Sequence, residues 1–121
     1  MIRALTPLAH VASVPASIEF YTKLGLEVGN TFTPPDASEP SWAWLKSASA
    51  EALMIAKASH PIDAGQQAVL FYLYVDDVSA KQAELAASGV RTGDIAYPFY
   101  APRGELRVVD PDGYVLMITH T

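Results

Sequence analysis

The sequence predicts an α+β fold in which one β-α-β-β-β unit is used twice, and three observations predict it. The first is an internal repeat: Val11, Ser13, Val14, Ala16, Gly25 and Leu26 recur as Val75, Asp77, Val78, Ala80, Gly89 and Val90, an offset of 64 residues. The second is that each copy reads as strand, helix cap, amphipathic helix, glycine stop and second strand. The third is the segment DPDG at 110–113, which carries turn formers where a hairpin needs them and leads into YVLMITH.

Taken in order, the first strands of the two halves place Thr6, Leu8 and His10 in the roles of Leu70, Tyr72 and Tyr74. Ser13 and Asp77 are helix caps, because their side-chain oxygens accept from the first free amides of the helix that follows. Gly25 and Gly89 end those helices, since glycine adopts the left-handed conformation without a Cβ clash. The remaining strands are LEVGNTF, SWAWLK and EALMIAK in the first half, and VRTGDIAY, GELRVVD and YVLMITH in the second. Residues 58–67, ASHPIDAGQQ, form a polar linker between modules at 5–57 and 68–120. Each module alone exposes one face of its sheet, so residues 1–121 are expected to form a single domain.

Half of the residues are apolar and 17% are charged, a balance that belongs to a folded chain. The longest apolar run, AVLFYLYV at 68–75, is far short of a membrane span. The start, MIRALTPLAHVASV, lacks an apolar segment with a cleavage site, and the expected location is the cytoplasm. With no cysteine there is neither a disulfide nor a thiolate nucleophile. Thirteen acidic and eight scattered basic residues give a net charge of -5, which lacks the electrostatic footprint of a nucleic-acid binder and suits a cationic or neutral ligand.

Strand side chains alternate, so the set that meets the helix fixes the opposite set. Leu53 and Ile55, Ala43 and Leu45, Leu106 and Val108, and Leu116 and Ile118 are the helix-facing pairs. That leaves Ala52, Met54 and Ala56, Trp42 and Trp44, Glu105, Arg107 and Val109, and Val115, Met117 and Thr119 on the other side, an aromatic and thioether-rich cavity with few charges.

Two such modules in tandem resemble the vicinal oxygen chelate superfamily, which includes glyoxalase I, extradiol dioxygenases, fosfomycin-resistance enzymes and bleomycin-resistance proteins. The phrases VASVPASIEFYTKLGLEV, FYLYVDDVSAKQAELAASGV and VVDPDGYVLMI carry the match. The resemblance implies the glyoxalase/bleomycin resistance fold, a curved mixed sheet around a concave pocket. It also implies a divalent metal held by His, Glu or Gln on the first and last strands of each half. Those positions fall on Thr6, Met54, Leu70 and Met117, none of which suits a hard or borderline cation. Of the three histidines only His10 is expected on a cavity face; His60 lies in the linker and His120 points outward. The expectation is therefore no metal and no cofactor.

Several residues keep two readings. His10 is either a general base or a partner in an ordinary hydrogen bond. Trp42 and Trp44 either stack on a flat or cationic ligand or pack in a core or subunit interface. Tyr72 and Tyr74 carry hydroxyls suited to the edge of a wet pocket. Arg107 is either an anion clamp or a salt-bridge partner of an acidic neighbour such as Glu105. The loop AYPFYAPRG at 96–104 is either a lid or a subunit contact. No serine elbow or glycine-rich phosphate loop is present, and no catalytic residue is assigned.

The expected function is that of the metal-free bleomycin-resistance branch: a homodimer that sequesters a cationic or planar aromatic small molecule, with no nucleic-acid or membrane partner. His10, Trp42, Trp44, Met54, Tyr72, Tyr74, Arg107 and Met117 are its candidate ligand contacts. The alternatives are a glyoxalase- or dioxygenase-like enzyme with a non-standard or absent metal site, and a partner-binding domain whose pocket its own side chains fill.

Overall fold

Both helices begin at the side chains that the repeat singles out. Ser13 Oγ accepts from the Ala16 amide at 3.2 Å, and Asp77 Oδ1 from the Ala80 amide at 3.0 Å. Gly25 and Gly89, at φ 111° and 80°, close them as expected. The computed structural model describes all 121 residues, and the chain divides into two units, Met1–Ile62 and Asp63–Thr121. The division falls inside the polar segment 58–67.

The first unit holds β1 (Leu8–Val11), α1 (Val14–Leu24), β2 (Glu27–Phe32), β3 (Trp42–Lys46) and β4 (Ala52–Lys57). Its sheet runs β1-β4-β3-β2, with β1 parallel to β4 and the other pairs antiparallel. Val14, Ser17, Tyr21 and Leu24 recur every three or four residues and form the buried stripe of α1. That helix packs on β2, β3 and β4. Ala9, Val11, Ala43, Leu45, Leu53 and Ile55 are buried on the helix side of the sheet. Full burial of each Leu, Ile or Val here contributes roughly 1.5–3 kcal/mol relative to exposure.

The second unit holds β5 (Leu70–Tyr74), α2 (Val78–Ala87), β6 (Glu105–Val109) and β7 (Val115–Thr119), preceded by one 3-10 turn at Ala64–Gln66. The sheet runs β5-β7-β6, with β5 parallel and β6 antiparallel to the central β7. Val78 and Leu85 of α2 are buried, as are Val90, Leu106, Val108, Leu116 and Ile118.

The stretch VRTGDIAY does not form the strand that the repeat predicts. Its only ladder contact is a single bridge, Ala96 to Glu105, in which each amide donates to the other's carbonyl at 2.9 and 2.8 Å. Gly93 weakens extended structure within the stretch, and Pro98 has no N–H with which to prolong the ladder beyond it. The second unit therefore has three strands and a bridge where the first has four.

The DPDG turn is built as its residues require. Asp110 Oδ1 accepts from the amides of Asp112 and Tyr114 at 2.9 and 2.8 Å, and Gly113 sits at φ 85°. A Cβ on Gly113 would meet the Cα and Cβ of Ala64 at 2.7 Å, so the 3-10 turn and the hairpin pack backbone to backbone. Gln67 Nε2 ties the same two segments by donating to the Asp112 carbonyl at 3.1 Å. No helix is long and apolar enough to cross a membrane.

Candidate functional site

Because β3 and β4 are antiparallel and β1 joins β4 in parallel register, side chains of one face line up in rows across the first sheet. His10, Ala56, Trp42 and Phe32 form one row; Leu8, Met54, Trp44 and Asn30 form the next. This is the face away from α1. Leu8, His10, Phe32 and Trp44 are exposed on it, and Trp42, Met54 and Ala56 are half-buried. A bulge between Val28 and Asn30 lets the backbone come up against the indole: a Cβ on Gly29 would lie 3.2 Å from Trp44 Cε3. Trp44 keeps 39% of its surface exposed.

The second sheet repeats the arrangement. Tyr74, Thr119 and Glu105 form one row, Tyr72, Met117 and Arg107 the next, and Leu70, Val115 and Val109 the third. The rings of Tyr72 and Tyr74 are 6.3 Å apart at 26°, and the two residues are 44% and 62% exposed. Of the sequence-predicted contacts, the structure thus brings His10, Trp42, Trp44 and Met54 onto one face of the first unit. It brings Tyr72, Tyr74, Arg107 and Met117 onto one face of the second.

Two residues on the second face have surroundings that alternation alone does not give. Alternation places Glu105 beside Arg107 and Val109, but those two are exposed whereas Glu105 is only 6% exposed. Tyr100 donates its hydroxyl to Glu105 Oε1 at 3.0 Å, and Oε2 is buried without a partner. Donating that bond raises the pKa of the Tyr100 phenol, with desolvation and then the charges of Glu105 and Tyr72 adding to the effect. Arg107 makes no ion pair with Glu105; ion pairs elsewhere join Lys23 to Glu19 and Lys81 to Glu84. Sequence periodicity gave Glu105 its side of the strand but carried no signal for Tyr100, which reaches it from an irregular loop.

That loop is fixed at its ends and open in its middle. Ala101 N donates to Pro98 O at 2.9 Å and Gly104 N to Ala101 O at 3.0 Å. The Arg103 amide donates to His120 Nε2 at 3.0 Å, and the guanidinium donates to the Thr121 carbonyl at 2.6 Å. His120 thus anchors the loop. Tyr97, Phe99 and Tyr100 are left exposed.

The donor set does not fit a divalent metal. Met54, Leu70 and Met117 stand in their predicted strands, and Thr6 precedes β1. No group of three or more His, Cys, Asp or Glu side chains gathers anywhere in the chain. Thioether, alkyl and a single hydroxyl group give a hard or borderline cation nothing to replace its water.

The family model of the glyoxalase/bleomycin resistance protein/dioxygenase superfamily matches residues 6–118. Among solved structures the chain is similar to a bleomycin-binding protein complexed with bleomycin, at 19% identity and a TM-score of 0.74, covering 99% of each chain. It is similar to the bleomycin resistance determinant encoded on transposon Tn5, at 17% identity and a TM-score of 0.76, covering 99% of this chain and 98% of that one. An antibiotic-binding protein from Streptomyces sp. CB03234 matches at 18% identity and a TM-score of 0.76, covering 99% and 96%. At these identities the likeness is one of fold. No curated protein matches the sequence.

Proposed function

Since the chain belongs to the glyoxalase/bleomycin resistance protein/dioxygenase superfamily, we propose that it is a metal-independent small-molecule binding protein, one that sequesters a cationic or planar aromatic compound. One observation carries the reading. The faces turned away from the helices present Trp42, Trp44 and Met54 in one unit and Tyr72, Tyr74 and Met117 in the other, with Met54 and Met117 standing at two of the positions where a metal enzyme of the family needs coordinating atoms. Exposed rings bind flat or cationic ligands through stacking and cation-π attraction, each worth about 0.5–1.5 kcal/mol beyond area burial. The net charge of -5 favours a cation. Similar folds in a protein described as binding bleomycin and in one described as binding an antibiotic support a small-molecule ligand.

The reading includes a cytoplasmic homodimer. Ile2, Leu5, Val69 and Phe99 are large apolar side chains exposed outside the two ring-bearing faces, which supports association with a second copy.

The test is a thermal-shift screen of cationic glycopeptides, planar aromatics and glutathione conjugates, with and without divalent metals. A ligand that binds only the folded chain raises the midpoint, adding about 2.7 kcal/mol of stability at a hundred times its Kd. The expected hit is planar or cationic and acts in the presence of a chelator. A hit that needs nickel, zinc, iron or manganese would replace this reading with a glyoxalase- or dioxygenase-like enzyme.

A further inference from the structure

We propose that Glu105 is the acceptor for a protonated nitrogen of the ligand, and that the ligand is a planar aromatic cation bearing at least one N–H, such as an aryl amidinium, an aryl guanidinium or an aminoacridinium. The proposal rests on the reading of the protein as a small-molecule binder and names the polar contact that orients the ligand.

A carboxylate offers about four acceptor sites. Glu105 uses one, for the Tyr100 hydroxyl, while Oε2 is buried and has no partner. The nearby groups that have protons to give are otherwise engaged or directed elsewhere. Thr119, its ladder partner, donates to the Gly104 carbonyl at 2.9 Å. Arg107, the next residue on the same face, is exposed and forms no ion pair with it. The Glu105 amide is committed to the Ala96 carbonyl at 2.8 Å. Buried acceptors are nearly always satisfied in native proteins, so an orphaned carboxylate oxygen marks a place where a donor arrives from elsewhere.

The surroundings set the class of donor. Glu105 lies in one row with Thr119 and Tyr74, and Tyr74 stacks beside Tyr72, so a ring system placed on the tyrosines reaches the carboxylate from the same face. An N–H on a cation forms a charge-assisted bond to a carboxylate and draws on the ring faces at the same time. Oε2 is buried, whereas the phenol on Oε1 belongs to Tyr100, which is 58% exposed, so the ligand's donor reaches the carboxylate by taking the place of that phenol. A quaternary cation lacks the N–H and gains only the rings and the general field of the protein.

Two fluorescent probes separate these contributions: proflavine, a planar cation with N–H donors, and 10-methylacridinium, a planar cation with none. Wild-type protein is expected to bind proflavine more tightly. Glu105→Gln is expected to weaken proflavine by on the order of tenfold or more, the value of a hydrogen bond to a charged group, and 10-methylacridinium by clearly less. Tyr100→Phe keeps the carboxylate and removes its competing donor, so proflavine is expected to bind at least as tightly as to wild type; this arm stands even where Glu105→Gln folds poorly. Equal loss of both probes in Glu105→Gln, or a Tyr100→Phe protein that loses proflavine, overturns the assignment of Glu105 while leaving the small-molecule reading intact. Failure of wild-type protein to bind either probe or any compound of the thermal-shift screen overturns both.

Discussion

Tyr72 and Met117 are ladder partners on β5 and β7, and on its other side Met117 faces Arg107 of β6. The place that the family resemblance would give to a metal-binding glutamate is thus flanked by a phenol and a guanidinium. Arginine is always protonated and has no lone pair to offer, so it cannot complete a set of metal ligands. Restoring one carboxylate with Met117→Glu is expected to leave the protein without a bound metal, because a site needs three or four donors and the new one pairs with Arg107 instead. Equilibrium dialysis against zinc or nickel followed by metal analysis checks this. Retention near one metal per chain by wild type or by Met117→Glu would refute it.

Trp44 lies across the ladder from Met54 and against the bulge at Gly29. The indole is the more exposed of the two tryptophans, so a ligand on this face meets it directly. Trp44→Ala is expected to weaken a planar ligand by about tenfold, in line with the 0.5–1.5 kcal/mol of ring stacking together with lost area, and to change the unfolding midpoint little. Titration of the remaining Trp42 fluorescence supplies the readout. Unchanged affinity would mean that the ligand does not use this face.

Gly113 is the residue on which the last hairpin depends. At φ 85° any L side chain is strained, and here its Cβ would also press into the backbone of Ala64. Gly113→Ala is expected to destabilise the protein by about 1–3 kcal/mol, the range for a residue held in a sparsely populated backbone region. Gly93→Ala, with nothing within 4 Å of the added atom and an ordinary φ, is the matched control. Urea unfolding that gives the two variants the same midpoint would show that the turn tolerates a side chain.

Much of this architecture was legible because it rests on periods. Leu53 and Ile55, Ala43 and Leu45, and Leu116 and Ile118 alternate with Met54, Trp44 and Met117, and a period of two admits only one assignment of faces once the helix side is known. The caps at Ser13 and Asp77 were legible because a single side-chain oxygen at a fixed offset does the work. What sequence could not supply is contact between elements without a period. Glu105 has the side of the strand that alternation gives it, yet it accepts a hydrogen bond from Tyr100 in an irregular loop, and no spacing rule couples the two. The bond from the Arg103 amide to His120 is of the same kind, joining a loop to the residue after β7 where no period announces it. VRTGDIAY, a strand by the logic of the repeat, forms none because a glycine lies inside it and a proline just beyond.

The Tyr100–Glu105 bond also fixes a pH dependence. The phenol's pKa is raised above its ordinary 10.0, first by the hydrogen bond to Glu105 and then by desolvation and by the charges of Glu105 and Tyr72. Below the unfolded value, about pH 10, both states keep the proton and the stabilisation is complete. As pH rises past that value the unfolded chain ionises first, and the contribution is lost as pH climbs through the raised folded value. Stability is therefore expected to fall more steeply with alkaline pH in wild type than in Tyr100→Phe, whose profile still contains every other tyrosine and serves as the subtraction. Urea midpoints measured from neutral to alkaline pH give the difference curve, and phenolate absorbance locates the folded titration. Parallel profiles for the two proteins would mean that the hydroxyl does not hold Glu105 in solution, and would remove the latch that the ligand is proposed to displace.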